Sequence, residues 1–210
     1  MNGSPYASLL TFVVLLLGCG TPDGAPSQRA VDPRRAPEQT RLTPGGAPLE
    51  IDANGHRYRL APLARYEIAA RVLSRERYYL GWRADLSPID LALGWGALAD
   101  PRADDFIDWT QGGRWYFFQW SADSPYRNDD IIPQSANLHV IPANDNVRTA
   151  VLSIERNQVL ALSGLLVRVD DPAAAESGGW SSSLSRTDTG DGSCELMYVE
   201  RVLTAGVEYW

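Results

Sequence analysis

The chain has 210 residues, 44% of them hydrophobic and 10% aromatic, which is ample for a folded core. It carries 26 acidic residues against 19 basic ones, all of them Arg, for a formal net charge of -7. That balance leaves no concentrated basic face of the kind that nucleic acid or anionic lipid headgroups require, and so argues against both as partners.

The first feature along the chain is an apolar run from Leu9 to Leu17. It is too short to span a bilayer, which takes about 20 apolar residues at about 1.5 Å each. A short apolar stretch followed by a small-residue cleavage site is instead what a secretory signal needs. The run ends in Leu16-Leu17-Gly18-Cys19, which resembles the lipobox of bacterial lipoproteins. The resemblance covers the first 19 residues. It implies a signal peptide over residues 1–18, a diacylglycerol on the Cys19 sulfur, and Cys19 as the acylated first residue of the mature protein. Gly20 after the cysteine implies an outer-membrane destination facing the periplasm. The membrane itself, reached through the lipid on Cys19, is then the first partner.

From Cys19 to Pro48 the prolines at 22, 26, 33, 37, 44 and 48 recur among small and polar residues, with few large apolar ones. Such a composition predicts a lipidated, disordered and semi-stiff tether that holds the domain away from the membrane. Residues 49–210 then form a single globular domain, long enough for one and short for two.

Within it, Leu49-Glu50-Ile51 and His56 to Leu60 flank Asn54-Gly55, the pair that a tight β-hairpin favours. A third strand is expected at Tyr66 to Leu73. Ser87-Pro88-Ile89-Asp90 reads as a helix start, with Ser as cap and Pro at the first helical position. Arg114 to Trp120 alternates aromatic residues on both faces, which predicts a strand buried on two sides. Asn144 or Asp145 caps a helix to about Ile154, and Val159 to Val169 follows as a strand with Gly164 at a bend or bulge. Two further strands, Trp180 to Leu184 and Glu195 to Leu203, are joined by a turn around Asp188-Thr189-Gly190. The fold class is therefore α+β, mostly antiparallel β in a small curled sheet or barrel, with one or two short helices.

The second half resembles a group of uncharacterised exported bacterial proteins. The likeness lies in Gln134 to Ala143, in Leu162 to Val167, in Trp180 to Leu184, and in Asp188-Thr189-Gly190 through Cys194-Glu195-Leu196. It implies a genuine domain and carries no activity.

Three constellations offer chemistry. His139 with Cys194 or Ser135 as nucleophile, oriented by Asp188, Asn137 or Glu195, would make a hydrolase of base, nucleophile and tautomer-fixing group. No nucleophile elbow surrounds these residues, and a buried histidine bonded to a loop carbonyl is the plainer reading. Asp188-Thr189-Gly190 matches the aspartic-protease triplet but occurs once, where that chemistry needs two facing copies. His56 and His139 are too few for a typical zinc site, and Asp104-Asp105-Asp108 and Asp129-Asp130 lack calcium-loop spacing, so these are expected as solvated acidic loops. No cofactor or metal is expected. If Cys19 is lipidated, Cys194 has no disulfide partner within the chain.

Seven Trp and nine Tyr support a binding reading instead. Rings beside carboxylates suit sugar faces or protein partners, and in the envelope these would be peptidoglycan or another envelope protein. Most of the rings are expected in the core. The expectation is thus a lipid-anchored cell-envelope binding or structural module, with the hydrolase as its alternative.

Overall fold

The computed structural model describes residues 22–170, 176, 179–190 and 192–210. Its strands are β1 (Gly24–Pro26), β2 (Glu38–Arg41), β3 (Leu49–Ala53), β4 (His56–Arg77), β5 (Ile89–Gly94), β6 (Ile107–Gly112), β7 (Trp115–Trp120), β8 (Ser135–Pro142), β9 (Val159–Val169), β10 (Glu195–Thr204) and β11 (Val207–Tyr209). The α-helices are α1 (Trp82–Leu86), α2 (Asn128–Ile131) and α3 (Asp145–Leu152). This is the strand-dominated α+β class expected from the sequence.

Five strands close on themselves. β4 pairs with β5, β5 with β8, β8 with β10, β10 with β9, and β9 returns to β4. Only β8 and β10 run parallel. A parallel neighbour requires a long crossover, here supplied by α3, β9 and the segment after it. Numbered along the chain, the barrel strands lie in the order 1-2-3-5-4, with α3 between the third and fourth. That is the connectivity of the Greek-key barrel called the OB-fold.

The barrel follows from side-chain alternation. Along β4, Ala64, Tyr66, Ile68, Ala70 and Val72 point inward, and they meet Ile89, Leu91 and Leu93 of β5 and Leu138 and Val140 of β8. Helix α3 plugs one end with Val147, Ala150 and Val151, joined by Ile154 just beyond it. As expected, the Asn144 side chain caps this helix, accepting from the Val147 amide at 2.9 Å. Gly164 sits where β10 slips register between Val199 and Arg201. A Cβ built there would stand 2.0 Å from the Tyr198 carbonyl oxygen, so only glycine fits.

Several expectations are corrected. Residues 22–48 do not lead away as a tether: β1 pairs with β11, and β2 pairs with β4. Backbone pairing needs no large side chains, so a core-poor segment can still dock on sheet edges. The Asn54-Gly55 hairpin forms as expected, but the strand foreseen at Tyr66 to Leu73 is the middle of one strand of 22 residues. Ser87-Pro88-Ile89-Asp90 starts no helix. It enters β5, every residue of which is buried, because tertiary burial on both faces overrides local capping signals. Trp180 to Leu184 forms a single bridge, Ser181 to Arg168, in place of a strand.

The aromatic segment is a strand, β7, yet half of its residues are exposed, Phe117 and Trp120 among them. With β6 it makes a separate two-stranded hairpin. Its inner face, Ile107 and Trp109, docks on the outside of the barrel against Leu73, Ala92, Leu98 and Ile131. Gly113 and Arg114 form its two-residue turn, both at positive φ (61° and 74°), as the strand twist demands.

Asp104, expected as a solvated acid, pairs instead with Arg71, a fully buried side chain of β4, at 2.9 Å. Arg71 also donates to the Leu98 carbonyl and to Asn157 Oδ1, which satisfies a cation that would be prohibitive to bury alone.

Candidate functional site

The parallel strands β8 and β10 start side by side, with Glu195 opposite Leu138. Their first residues form the floor of a cleft of about 380 Å³. One wall is the aromatic hairpin, through Trp115, Tyr116 and Phe118. The other is the loop before β10, through Arg186, Asp188 and Ser193. Five of the candidates meet here: Ser135 and Cys194 on the floor beside Asn137 and Glu195, and Asp188 on the loop.

Each polar group on the floor has a defined partner. The Ser135 hydroxyl donates to the Ile131 carbonyl at 2.8 Å and lies 3.1 Å from the Tyr116 hydroxyl. Asn137 donates to the Arg114 carbonyl at 2.9 Å and accepts from Gln111 at 2.8 Å. Cys194 Sγ lies 3.6 Å from Asn137 Nδ2. Burial pushes its thiol up to about 11, countered in part by Asn137, so it is protonated at neutral pH and a poor nucleophile. On the loop, Ser183 donates to Asp188 at 2.7 Å, holding the carboxylate at the rim.

Glu195 is the exception. It is buried, and its Oε2 has no hydrogen-bond partner among the described residues. Burial pushes its carboxyl up to about 8, against its own backbone hydrogen bond and nearby Arg186. Arg186, in turn, donates to the Tyr66 hydroxyl at 3.1 Å and lies 5.2 Å over that ring. Glu195 is therefore protonated at neutral pH, a neutral acid able to donate from the cleft floor.

His139 is not part of this group. It follows Ser135 and Asn137 on the same face of β8, but its Nδ1 stands 3.0 Å from Asp90 Oδ1, opposite it on β5. The two atoms are close without the alignment of a good hydrogen bond. Asp90 is instead held by Arg114 Nη1 at 2.6 Å. Arg114 reaches down from the hairpin turn, stacks over Tyr78 at 3.7 Å, and donates to the Ser87 carbonyl. Trp180 covers the group, 5.4 Å from the His139 ring and edge-on to Trp82.

No hydrogen bond joins His139 to Cys194 or Ser135 among the described residues. Nor does His139 meet a loop carbonyl, the plainer expectation; its neighbour is a buried carboxylate. Asp188-Thr189-Gly190 forms a loop rim with a bend at Gly190, and not a strand end. His56 lies edge-on to Tyr58, 4.4 Å away and remote from His139 in the sheet. Among the described residues no group of three His, Cys, Asp or Glu side chains is placed to hold a metal ion. Cys19 lies outside the described residues. No helix among them is long and apolar enough to cross a membrane.

Sequence reasoning missed Asp90, Arg114, Arg186 and Trp180. Asp90 was hidden by its apparent place in a helix start, and Arg114 by the aromatic run it precedes. Compared with family models, with curated protein sequences and with solved structures, the chain matches none.

Proposed function

We propose that this is a lipid-anchored protein of the bacterial cell envelope that binds a saccharide, such as a peptidoglycan glycan, in the cleft between the aromatic hairpin and the loop before β10. The observation that carries the binding reading is the composition of that cleft. Rings of Trp115, Tyr116 and Phe118 face hydrogen-bonding groups on Arg186, Asp188 and Glu195 across about 380 Å³. Aromatic faces suit the apolar faces of sugars, and convergent polar groups suit their hydroxyls.

The fold supports the same reading by analogy. OB-type barrels take ligands against their second and third strands and the loops joining strands one to two and four to five. Here the cleft meets the third barrel strand and the four-to-five loop. Of the two ligand types associated with such barrels, oligonucleotides are disfavoured by the net charge of -7.

The anchoring reading rests on Leu16-Leu17-Gly18-Cys19 and its resemblance to a lipobox. The hydrolase reading draws support from Asp90 beside His139, an orienting acid next to a base. It lacks the third member: Ser135 is committed to Ile131 and Cys194 to Asn137.

Calorimetric titration with muropeptides and neutral glycan oligomers tests the binding reading. Saccharide binding weakened by changes at Trp115 or Asp188 supports it. Absence of binding at millimolar glycan, or binding indifferent to those residues, would sink it. Intact mass of the membrane-fraction protein, with a Cys19→Ser comparison, tests the anchor.

A further inference from the structure

We infer that the α3 end of the barrel rests on the bilayer surface and that the cleft opens away from it. This inference depends on the lipid-anchoring reading and adds the orientation.

The path of the chain provides the argument. Asp23 is fastened to the start of α3: its amide donates to Asn146 Oδ1 at 2.7 Å, and its carbonyl accepts from Asn146 Nδ2 at 2.7 Å. The same Asn146 amide group donates to the Trp210 carbonyl at 2.9 Å. Gly24 then pairs with Tyr209 at the sheet edge. The first described stretch of chain is thus fixed to the barrel beside α3, and no free tether follows it.

Cys19 precedes Asp23 by four residues. Fully extended, they reach at most roughly 14 Å. A lipid on Cys19 therefore holds the start of α3 within roughly 14 Å of the lipid attachment point at the membrane surface. The cleft is at the other end of the same strand. β8 starts at Ser135 on the cleft floor and ends at Pro142, two residues before the α3 cap. At about 3.3 Å per residue, that separates the two sites by about 23 Å along the strand.

The surface beside the attachment point fits the placement. Trp210 is about half exposed there, 55%, and Trp is a residue that settles at the headgroup level. Asp23 and Asp145 are offset in part by Arg148 of α3, so this end has no basic face and acyl chains and Trp210 hold the contact. A saccharide network beyond the membrane would then meet the open cleft directly.

The test is energy transfer on the acylated protein, purified from membranes and reconstituted into phosphatidylcholine vesicles with an acceptor fluorophore on the headgroups. The donor is placed on Asp145→Cys beside α3 or on Thr189→Cys at the cleft rim, each in a Cys194→Ser background. Each sample is also weighed intact to establish acylation. The expected result is transfer roughly threefold or more stronger from position 145 than from 189, given about 23 Å between the two ends of β8. Equal transfer, or stronger transfer from 189, in protein of acylated mass would overturn the orientation while leaving the anchor standing. A mass without acyl chains would overturn the anchoring reading, and the orientation with it.

Discussion

Nη1 of Arg114, at the tip of the aromatic hairpin, lies 2.6 Å from Oδ1 of Asp90, a carboxylate fully buried in the barrel wall. The hairpin is therefore fastened to the barrel by a charge pair as well as by Trp109 and Ile107. Removing one member of a buried pair strands the other. Arg114→Ala is expected to cost about 3–5 kcal/mol in urea unfolding, and Asp90→Asn combined with Arg114→Met much less than the sum of the two single changes. Additive losses would show that the pair is not coupled.

Glu195 predicts an unusual pH dependence. Its folded carboxyl is raised to about 8 from 4.5 by burial. A raised folded pKa means that its contribution is fully present below pH 4.5 and is lost as pH rises through about 8. Glu195→Gln imitates the protonated acid and is expected to abolish the loss of stability between those limits, which at about 1.4 kcal/mol per unit reaches a few kcal/mol. Melting temperatures of both proteins from pH 5 to 9 check this, and parallel curves would refute it.

Cys194 is expected to be inert. With its thiol raised to about 11 by burial, alkylation of the folded protein by iodoacetamide at pH 7.5 should run about 100-fold slower than in denaturant. Cys194→Ala should leave glycan binding intact. Rapid native alkylation would return the cysteine to the list of reactive groups.

Gly164→Ala places a methyl 2.0 Å from the Tyr198 carbonyl oxygen, backbone against backbone. The strand must shift to make room, so a loss of about 3 kcal/mol or more is expected in chemical denaturation. A change below about 1 kcal/mol would mean that the bulge at this position relaxes freely.

In the cleft, Trp115→Ala and Phe118→Ala are each expected to weaken saccharide binding about tenfold, since a stacked ring contributes on the order of 1 kcal/mol. Asp188→Asn should weaken it less, because the amide keeps one acceptor. Titration calorimetry distinguishes these, with circular dichroism as the check on folding.

What the sequence determined by itself was local. Asn54-Gly55 dictates its hairpin because two adjacent positive φ angles, 49° and 77°, suit few other pairs. Asn144 declares the start of α3 because its side chain reaches the Val147 amide three residues on. Gly164 marks a place where a neighbouring backbone comes too close for any side chain. Ser135, Asn137, Asp188, Cys194 and Glu195 were legible as polar residues worth watching, and the cleft gathers them. Tertiary structure decided the rest, because pairing between distant strands leaves no local trace. It drew Ile89 and Asp90, just after Ser87-Pro88, into a strand by burying both its faces. It fixed the proline-rich segment to sheet edges through backbone pairing, helped by contacts such as that of Asn146 with Asp23. It also set His139 against Asp90 and away from any nucleophile, because barrel register, which only closure of the sheet determines, places those two residues opposite each other.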